Sequence, residues 1–423
     1  MFDRFSRRTF LAAAGAALVG TSLARAQAIS QPVYAASDDA LGLLPEGNSA
    51  EWSDGFDSFS KARQVRSFDP TLSVSAVSDV ERALGEYSQI VNSGGWNVVP
   101  VGQPLRLGAR GSNVLALRQR LAKSNDLDSN VTGSDVFDSY VEAAVKNFQA
   151  RHGMAVDGVI GALTLSAMNI PADMRYRQLE TNLVRLRSLS GFLGQRFVMV
   201  NVPAAEIETV ENNRVYLRHT AVVGKIDRQT PILNSRIHQV NFNPYWTVPA
   251  SIIRKDLIPI MQKEPNYLTE HTIRIYAPDG RELSPSEVNW NSDEAINYRF
   301  RQDPGENNSL GQMRINFDNP HQVYLHDTPN KNLFGKEVRF HSSGCVRVQN
   351  VREFVQWLLA ENAGWDRAHI DEVIRSNERI DANLLNPVPL YLTYITAWST
   401  PAGVVHFRDD IYDRDGLGPI ALR

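Results

Sequence analysis

The sequence predicts a multidomain α+β protein, in which a small all-α domain of three helices precedes a mainly-β sandwich with a mixed helical insertion. Apolar residues recur at helical spacing within 102–172, the pattern of amphipathic helices. From about residue 196, Pro, Gly and Asn separate short segments rich in β-branched and aromatic residues, as expected of sandwich strands. Residues 250–312 interrupt that pattern, which predicts an insertion that caps the sheet.

Residues 1–28 have the form of a signal peptide. Arg4, Arg7 and Arg8 precede an apolar run that is too short to span a bilayer as a stable helix. The stretch Ser-Arg-Arg-Thr-Phe-Leu within that segment resembles the twin-arginine export signal. No second apolar run of spanning length follows, so we expect a periplasmic protein with no membrane span after signal cleavage.

Composition and charge restrict the classes of partner. Hydrophobic residues make up 43% of the chain and charged residues 22%, which is typical of a soluble globular protein. The formal net charge is −3, and removal of residues 1–28, with four arginines and one aspartate, changes it to −6. Nucleic acid is therefore a poor partner, because nucleic-acid binding requires a basic surface. We expect a monomer.

The segments at the two ends carry little chemistry. Residues 29–101 are rich in Ser, Asp and Gly, and they predict a linker or scaffold segment with short helical pieces such as 78–91. Residues 401–423 are rich in Gly and Asp and predict a C-terminal tail.

Three short helices are predicted within 102–172. Ser112 can cap the first helix, Gly153 follows the second, and Pro171 ends the third. The second and third helices carry Phe-Gln followed by Gly-x-x-x-Asp-Gly-x-x-Gly-x-x-Thr-Leu, which resembles the three-helix peptidoglycan-binding domain over this whole range. The resemblance implies a non-catalytic module that binds the cell wall.

Cys345 is the only cysteine of the chain, which is unusual because exported proteins use cysteines mostly in disulfide pairs. It is an inert buried residue, a thiol for another chain, or a nucleophile. Its neighbours favour the nucleophile, since Ser342, Ser343 and Gly344 allow a sharp turn whose backbone N–H groups can stabilise an oxyanion. Arg347 places a positive charge nearby, which favours the thiolate.

A nucleophilic cysteine needs a base, and two histidines are candidates. His341 lies in the same loop as the cysteine, whereas His326 ends a strand in the stretch "QVYLHD". In that strand Val323 and Leu325 share one face, and Tyr324 and His326 share the other. Proximity in sequence favours His341, and placement on a rigid strand favours His326.

The stretches "YLHDTP" and "SSGCVRV" are similar to the L,D-transpeptidase catalytic domain, which has a strand-end histidine before a Ser-His-Gly-Cys-(Val/Ile)-Arg signature. Together with "NFNPYWTVP" they resemble the larger periplasmic subgroup with a capping insertion, over residues 173–400. Ser343 stands where the general signature has histidine, as in that subgroup. The resemblance implies a sandwich with a groove beneath the 250–312 cap.

The resemblance also implies the roles of individual residues. Cys345 is then the nucleophile and His326 its base, while Gly344 and Cys345 supply backbone N–H groups to the oxyanion. Arg347 orders the loop or meets a substrate carboxylate. Any role of the second signature histidine is either absent or filled by Ser343 or His341. No metal or organic cofactor is implied, and the nine histidines show no metal-ligand spacing.

Four residues are candidates to contact a stem peptide in the groove. Tyr245, Trp246 and Tyr324 can pack against it, and Asn243 can form a hydrogen bond with it. The alternative for Trp246 is a core position.

The implied reaction is peptidoglycan cross-linking. Cys345 would form a thioester with the third residue of a tetrapeptide stem, and the amine of a second stem would resolve it into a 3→3 cross-link. Carbapenems would acylate the thiol. The alternatives are an L,D-carboxypeptidase, D-amino-acid exchange on the same stems, a thiol hydrolase with another substrate, and a non-catalytic wall-binding scaffold. The implied partners are peptidoglycan stem peptides and glycan.

Overall fold

The computed structural model describes residues 67–418, so the expected signal peptide and most of the expected linker lie outside the described residues. The α-helices are α1 (Ala76–Asn92), α2 (Ser112–Lys123), α3 (Ser139–Arg151), α4 (Ala162–Met168), α5 (Ala172–Leu189), α6 (Ala250–Ile252), α7 (Ile258–Met261), α8 (Tyr267–Glu270), α9 (Val351–Leu358) and α10 (Arg367–Ser376). The π-helical turn Ile253–Leu257 joins α6 to α7.

The strands follow the helical region and are interrupted only by short helices. They are β1 (Arg196–Asn201), β2 (Glu206–Glu211), β3 (Arg214–Gly224), β4 (Leu233–Phe242), β5 (Trp246–Thr247), β6 (Ile273–Tyr276), β7 (Glu282–Leu283), β8 (Arg299–Gln302), β9 (Met313–Phe317), β10 (Leu325–His326), β11 (Phe340–Ser342), β12 (Val346–Val348), β13 (Ile380–Thr393), β14 (Ala397–Ser399) and β15 (Val405–Phe407).

Nine strands form one strongly curved sheet in the order β11-β3-β12-β10-β9-β4-β13-β1-β2. Strand β2 also pairs with β3, with Glu206 opposite Thr220. The series of hydrogen-bonded strands from β3 to β2 is therefore closed into a ring. The pairs β1–β13, β10–β12 and β11–β3 are parallel. The predicted α+β architecture with a sheet-rich domain is confirmed. The expected sandwich consists of one continuous sheet, and its two layers are opposite walls of that sheet.

The main core lies against the inner face of that sheet. Residues of β9 alternate, so Met313, Ile315 and Phe317 point inward while the residues between them do not. Leu325 of β10 and Phe354 of α9 are fully buried in the same cluster. Burial of one such side chain contributes about 1.5–3 kcal/mol, which fixes the register of the strands that carry the site.

The helical domain has a separate core. Helices α2, α3 and α4 bury Leu117, Phe148 and Met168 in one cluster. Asp138 caps α3 because its side chain accepts a hydrogen bond from the Val141 N–H at 3.1 Å. The predicted N-cap at Ser112 is wrong by one position. The helix begins at that residue, and the preceding glycine occupies the cap without a side-chain hydrogen bond.

The described part of 29–101 is not a linker. Helix α1, which includes the predicted 78–91 helix, packs on α5 and on β14. Val80 and Tyr87 of α1 enter a cluster with Leu183 and Phe407. The apolar face of α1 is therefore buried against the strand-rich domain.

The segment expected as a C-terminal tail is also packed. Within 401–418, β15 pairs with β14, and Tyr412 is buried with its hydroxyl donating to the Gly224 carbonyl at 2.6 Å. The same hydroxyl accepts a hydrogen bond from the Thr230 N–H at 3.2 Å. The prediction failed because these partners lie far away in the sequence.

Residues 250–312 form a small domain together with β5, which lies just before the predicted start of the insertion. Strands β5, β8, β6 and β7 make a four-stranded sheet, and Leu268, Ile275 and Phe300 fill its core. Arg228 reaches this insertion from the β3–β4 connection and forms an ion pair with Asp256. The same guanidinium donates to the hydroxyl of Ser343, so it connects the insertion to the loop that carries the cysteine.

Candidate active site

Cys345 ends a tight turn between β11 and β12. Gly344 has φ 113°, a left-handed conformation that favours glycine. The buried Ser342 hydroxyl accepts a hydrogen bond from the Gly344 N–H at 3.2 Å and donates to the Cys345 carbonyl. On the other side of the turn, the Thr230 hydroxyl donates to the Gly344 carbonyl at 2.9 Å. The small residues before the cysteine therefore allow a turn that other polar groups hold in place.

The parallel pair β10–β12 aligns the cysteine with the predicted histidine strand. Leu325 pairs with Val346, and His326 pairs with Arg347. The Val346 N–H donates to the Tyr324 carbonyl at 3.1 Å. Because Leu325 and Val346 point into the core, alternation directs their neighbours to the opposite face. Tyr324 therefore stands beside the cysteine, and His326 lies one step further along the same face.

The thiol of Cys345 is half-buried and in its protonated form. Burial raises its pKa above the ordinary value for a thiol, and this effect outweighs three influences that lower the pKa. Those influences are hydrogen bonding with Tyr324 and the positive charges of Arg314 and Arg347. The sequence-based expectation that Arg347 favours the thiolate is right in direction, but burial is the larger effect.

His326 is buried and neutral. Burial is the main cause that lowers its pKa to about 3, and the positive charge of Arg347 adds to that effect. Its Nδ1 lies 2.5 Å from the Asp327 carbonyl oxygen, and a carbonyl only accepts, so Nδ1 carries the proton and Nε2 is free to accept one. The imidazole packs edge-on against Tyr324, with ring centroids 5.7 Å apart. Within the described residues it forms no hydrogen bond with the cysteine.

His341, the alternative base, lies on strand β11, and its imidazole contacts the backbone just before that strand. Its Nε2 hydrogen-bonds to the Val338 carbonyl at 3.0 Å. The structure therefore brings His326, not His341, onto the face of the sheet that carries the thiol.

The oxyanion role expected of Gly344 is not available in this arrangement. Its N–H already donates to Ser342, which the sequence could not show because the partner is a side chain of the same turn. Among the described residues neither the Ser343 N–H nor the Cys345 N–H has an acceptor, so both are free donors at the turn. The cysteine's own amide, which is next to the thiol, is therefore available for electrostatic stabilisation.

Ser343 and Arg347 occupy different surroundings. Ser343 is exposed and its hydroxyl accepts from Arg228, which makes it part of the connection to the insertion. Arg347 is half-buried, and the one hydrogen bond that its side chain forms within residues 67–418 is a long one of 3.5 Å to the Thr328 hydroxyl. Its buried Nε has no partner among the described residues, so its donors remain free for a ligand.

The predicted substrate contact of Asn243 is wrong. Its side chain is buried and donates to the carbonyls of Val373 and Glu378, each at 2.9 Å. It adopts φ 46°, so it stabilises a left-handed turn at the entrance to the insertion. Trp246 is half-buried against the core of the insertion, and interaction with its indole lowers the pKa of Tyr324, although burial raises that pKa overall. The structure thus gives Trp246 both a packing role and a place at the site.

One residue of the site was missed by the sequence reasoning. Arg314 on β9 pairs with His326 on β10 and lies over the Tyr324 ring, 4.3 Å from its centroid. The alternation of Met313 and Ile315 into the core could have revealed it, because it requires Arg314 to face the other way.

Two further properties concern metals and membranes. Across residues 67–418, no group of three or more His, Cys, Asp and Glu side chains is placed to hold a metal ion. Over the same part of the chain, no helix is both long and apolar enough to cross a membrane.

Comparison with solved structures gives similarities of low score. An L,D-transpeptidase from Stackebrandtia nassauensis is 14% identical, with a TM-score of 0.28, and the match covers 68% of this chain and 94% of that one. An L,D-transpeptidase from Mycobacterium smegmatis is 13% identical, with a TM-score of 0.21 and coverage of 47% and 58%.

Comparison with protein sequences identifies both domains. A Haemophilus influenzae protein named "Putative L,D-transpeptidase" is 35% identical over 240 residues, which is 56% of this chain. The chain spans about half of that relative's length, 48%. The model of the L,D-transpeptidase catalytic domain matches residues 195–372, and the model described as "Putative peptidoglycan binding domain" matches residues 110–168. Residues 195–372 are thus similar to the L,D-transpeptidase catalytic domain, and residues 110–168 before them are similar to a peptidoglycan binding domain.

Proposed function

We propose that the protein is a peptidoglycan L,D-transpeptidase that forms 3→3 cross-links through a thioester on Cys345. The observation that supports this most is the shared face of β10 and β12. There a lone thiol stands beside Tyr324, and a neutral imidazole with a free Nε2 lies one step further along the strand. A nucleophile, a base and a hydrogen-bonding phenol are the groups that acyl transfer from an amide needs.

In the proposed reaction the protonated thiol and the neutral imidazole act together. His326 Nε2 accepts the thiol proton as Sγ attacks the carbonyl carbon of the third stem residue, and the oxyanion receives the Cys345 N–H. The C–N bond then breaks, and the protonated imidazole gives its proton to the leaving amine of the terminal D-amino acid. Small reorientations of the two side chains bring them into contact, as is common when a substrate is absent.

The thioester is resolved by the reverse sequence. The side-chain amine of a second stem attacks the thioester carbonyl and loses a proton to His326. The C–S bond then breaks, the thiol is re-formed, and a new amide joins the two stems. Water in place of the amine would give a carboxypeptidase, and a free D-amino acid would give exchange.

Two segments of the chain, the leader and the helical domain, support the proposed location and partner. The twin-arginine-like leader supports export to the periplasm, where peptidoglycan is found. The helical domain supports attachment to that polymer, because residues 110–168 match the peptidoglycan binding domain family. In this proposal it holds the catalytic domain near its substrate and raises the effective substrate concentration.

Intact-mass spectrometry with a carbapenem tests the proposal. We expect one covalent adduct on the wild-type chain, none on Cys345→Ala, and strongly reduced acylation of His326→Ala. His341→Ala is the matched control and should acylate as the wild type does. An unmodified wild-type protein would favour the non-catalytic scaffold.

Product analysis distinguishes the acceptors. Incubation with disaccharide tetrapeptides should give dimers with a 3→3 linkage. Tripeptides alone would identify water as the acceptor and would replace cross-linking with carboxypeptidase activity as the function.

A further inference from the structure

Arg314 is a charged group beside the thiol without a counter-charge. Its side chain is half-buried, its Nε is fully buried, and it has no hydrogen-bond acceptor or ion-pair partner among the described residues. The guanidinium lies over the Tyr324 ring, with its Cζ 4.3 Å from the ring centroid, and its N–H groups have no hydrogen-bond partner among the described residues. A half-buried cation with unused donors is unfavourable unless a ligand supplies the missing anion.

Among the described residues, the neighbours of Arg314 on the strands packed against it do not supply this anion. On β4 its register partner is Asn241, and on β10 it is His326. Along β9 itself the next residue on the same face is Asn316, whose amide nitrogen donates to two other amide side chains. The nearby carboxylate of Asp327 already pairs with Lys331 and accepts from the Gln312 N–H at 3.0 Å.

The position of Arg314 relative to His326 indicates which anion would bind. In the proposed mechanism the imidazole gives its proton to the amine of the departing residue. The carboxylate of that residue is separated from its amine by a single carbon atom. It therefore lies within a few ångströms of the imidazole, and Arg314 is the adjacent residue on the neighbouring strand, about 5 Å away.

We propose that Arg314 binds the C-terminal carboxylate of the residue that Cys345 displaces and so restricts the donor to stems whose last peptide bond is the one cleaved. The inference rests on the proposed function. A planar guanidinium can form two parallel hydrogen bonds with a carboxylate. A stem that is longer by one residue would place a neutral amide against this guanidinium and leave the charge unmatched, which lowers its reactivity.

The test uses two donors that differ in one group. One is a tetrapeptide stem with a free terminal carboxylate, and the other is the same stem with a terminal carboxamide. For the full wild-type chain we expect kcat/KM to be about 10- to 100-fold higher for the carboxylate, the range of a charge-assisted hydrogen bond. Arg314→Gln should lose most of this ratio, mainly through a higher KM for the carboxylate donor, and Arg314→Lys should retain part of it.

Arg236→Gln is the matched control, because Arg236 is an exposed arginine on the adjacent strand β4. It should keep the wild-type ratio. If Arg314→Gln also keeps that ratio, the inference is wrong. If Arg314→Gln slows both donors equally, Arg314 acts only on the thiol and the inference is again wrong.

The failure of the proposed function would look different. A wild-type protein that consumes neither donor and is not acylated by a carbapenem would overturn the transpeptidase proposal itself. A wild-type protein that is acylated but does not discriminate between the donors would overturn only the assignment to Arg314.

Discussion

The Thr230 hydroxyl donates a 2.9 Å hydrogen bond to the carbonyl of Gly344, the residue immediately before Cys345 in the chain. The same hydroxyl accepts the Gly224 N–H at 2.9 Å. We expect Thr230→Val to destabilise the protein by about 1–3 kcal/mol, because two buried backbone groups lose their partner. Urea unfolding should show this loss, and carbapenem acylation should slow as the turn shifts.

Thr132→Val is the control for that prediction, since its hydroxyl makes a similar bond to the Ser129 carbonyl at an exposed position. We expect a change below about 0.5 kcal/mol and unchanged acylation. Equal effects of the two substitutions would show that Thr230 has no special role at the turn.

The resting thiol of Cys345 should react slowly with iodoacetamide at neutral pH. Alkylation requires the thiolate, and burial raises the pKa of this thiol. The rate should therefore rise continuously with pH up to and beyond pH 9, without a plateau near neutrality. The chain has one cysteine, so intact mass reports this residue alone. A plateau below pH 8 would instead indicate a preformed thiolate.

Tyr324→Phe should move the same alkylation profile to higher pH. Interaction with the Tyr324 side chain is one of the influences that lower the pKa of the thiol, so loss of the phenol favours the protonated form. Tyr216→Phe, at an exposed tyrosine, is the control and should leave the profile unchanged. Identical profiles for the wild type and Tyr324→Phe would remove the phenol from the mechanism.

Acid should destabilise the fold from about pH 6.5 downward. Burial lowers the pKa of His219 to about 4 and that of His326 to about 3, and it lowers the pKa values of His152 and His406 as well. Between these pKa values and 6.5 the unfolded chain binds more protons than the folded chain, so stability increases with pH across that window.

His219→Leu tests this dependence at a position that faces the Phe354 ring and not the site. The slope of the unfolding midpoint between pH 7 and pH 5 should be smaller in this variant than in the wild type. His321→Gln, at an exposed histidine, should keep the wild-type slope. A variant whose slope matches the wild type would show that His219 does not contribute to acid sensitivity.

The ion pair between Arg228 and Asp256 should hold the insertion over the catalytic loop. Asp256→Asn removes the carboxylate and should weaken that connection by roughly 0.5–1 kcal/mol, which would raise the KM of the donor a few-fold. Hydrogen exchange should increase in residues 250–261. Asp227→Asn is the control, because that exposed carboxylate lies 3.6 Å from the same arginine. If both substitutions act alike, only the charge of the arginine matters.

The sequence located the parts of the site that follow from strand alternation and from the family signature. Tyr324 and His326 face the thiol because Leu325 is apolar and fills the core. Arg314 obeys the same rule on the next strand, but no motif directed attention to it. Its importance becomes visible only when the register aligns it with His326.

The sequence-based predictions that were wrong share one physical cause. The Gly344 N–H and the Asn243 amide are capable donors in sequence, but the folded chain already provides acceptors for them. Likewise, residues 401–418 have the composition of a tail, yet Tyr412 is held by Gly224, which lies far away along the chain. Composition and spacing show which groups are able to form hydrogen bonds. Only the folded structure shows which of these donors and acceptors remain without a partner.

The parallel pairing of β1 with β13 determines when this domain can fold. Val198 at the start of the domain pairs with Leu390 near its end, and both are fully buried. During synthesis β1 therefore leaves the ribosome long before β13 has been made. The apolar side chains of β1 cannot be buried against β13 until then. We expect folding to be slow and to finish only after synthesis. The contacts around Cys345 should therefore form late in the folding of the protein.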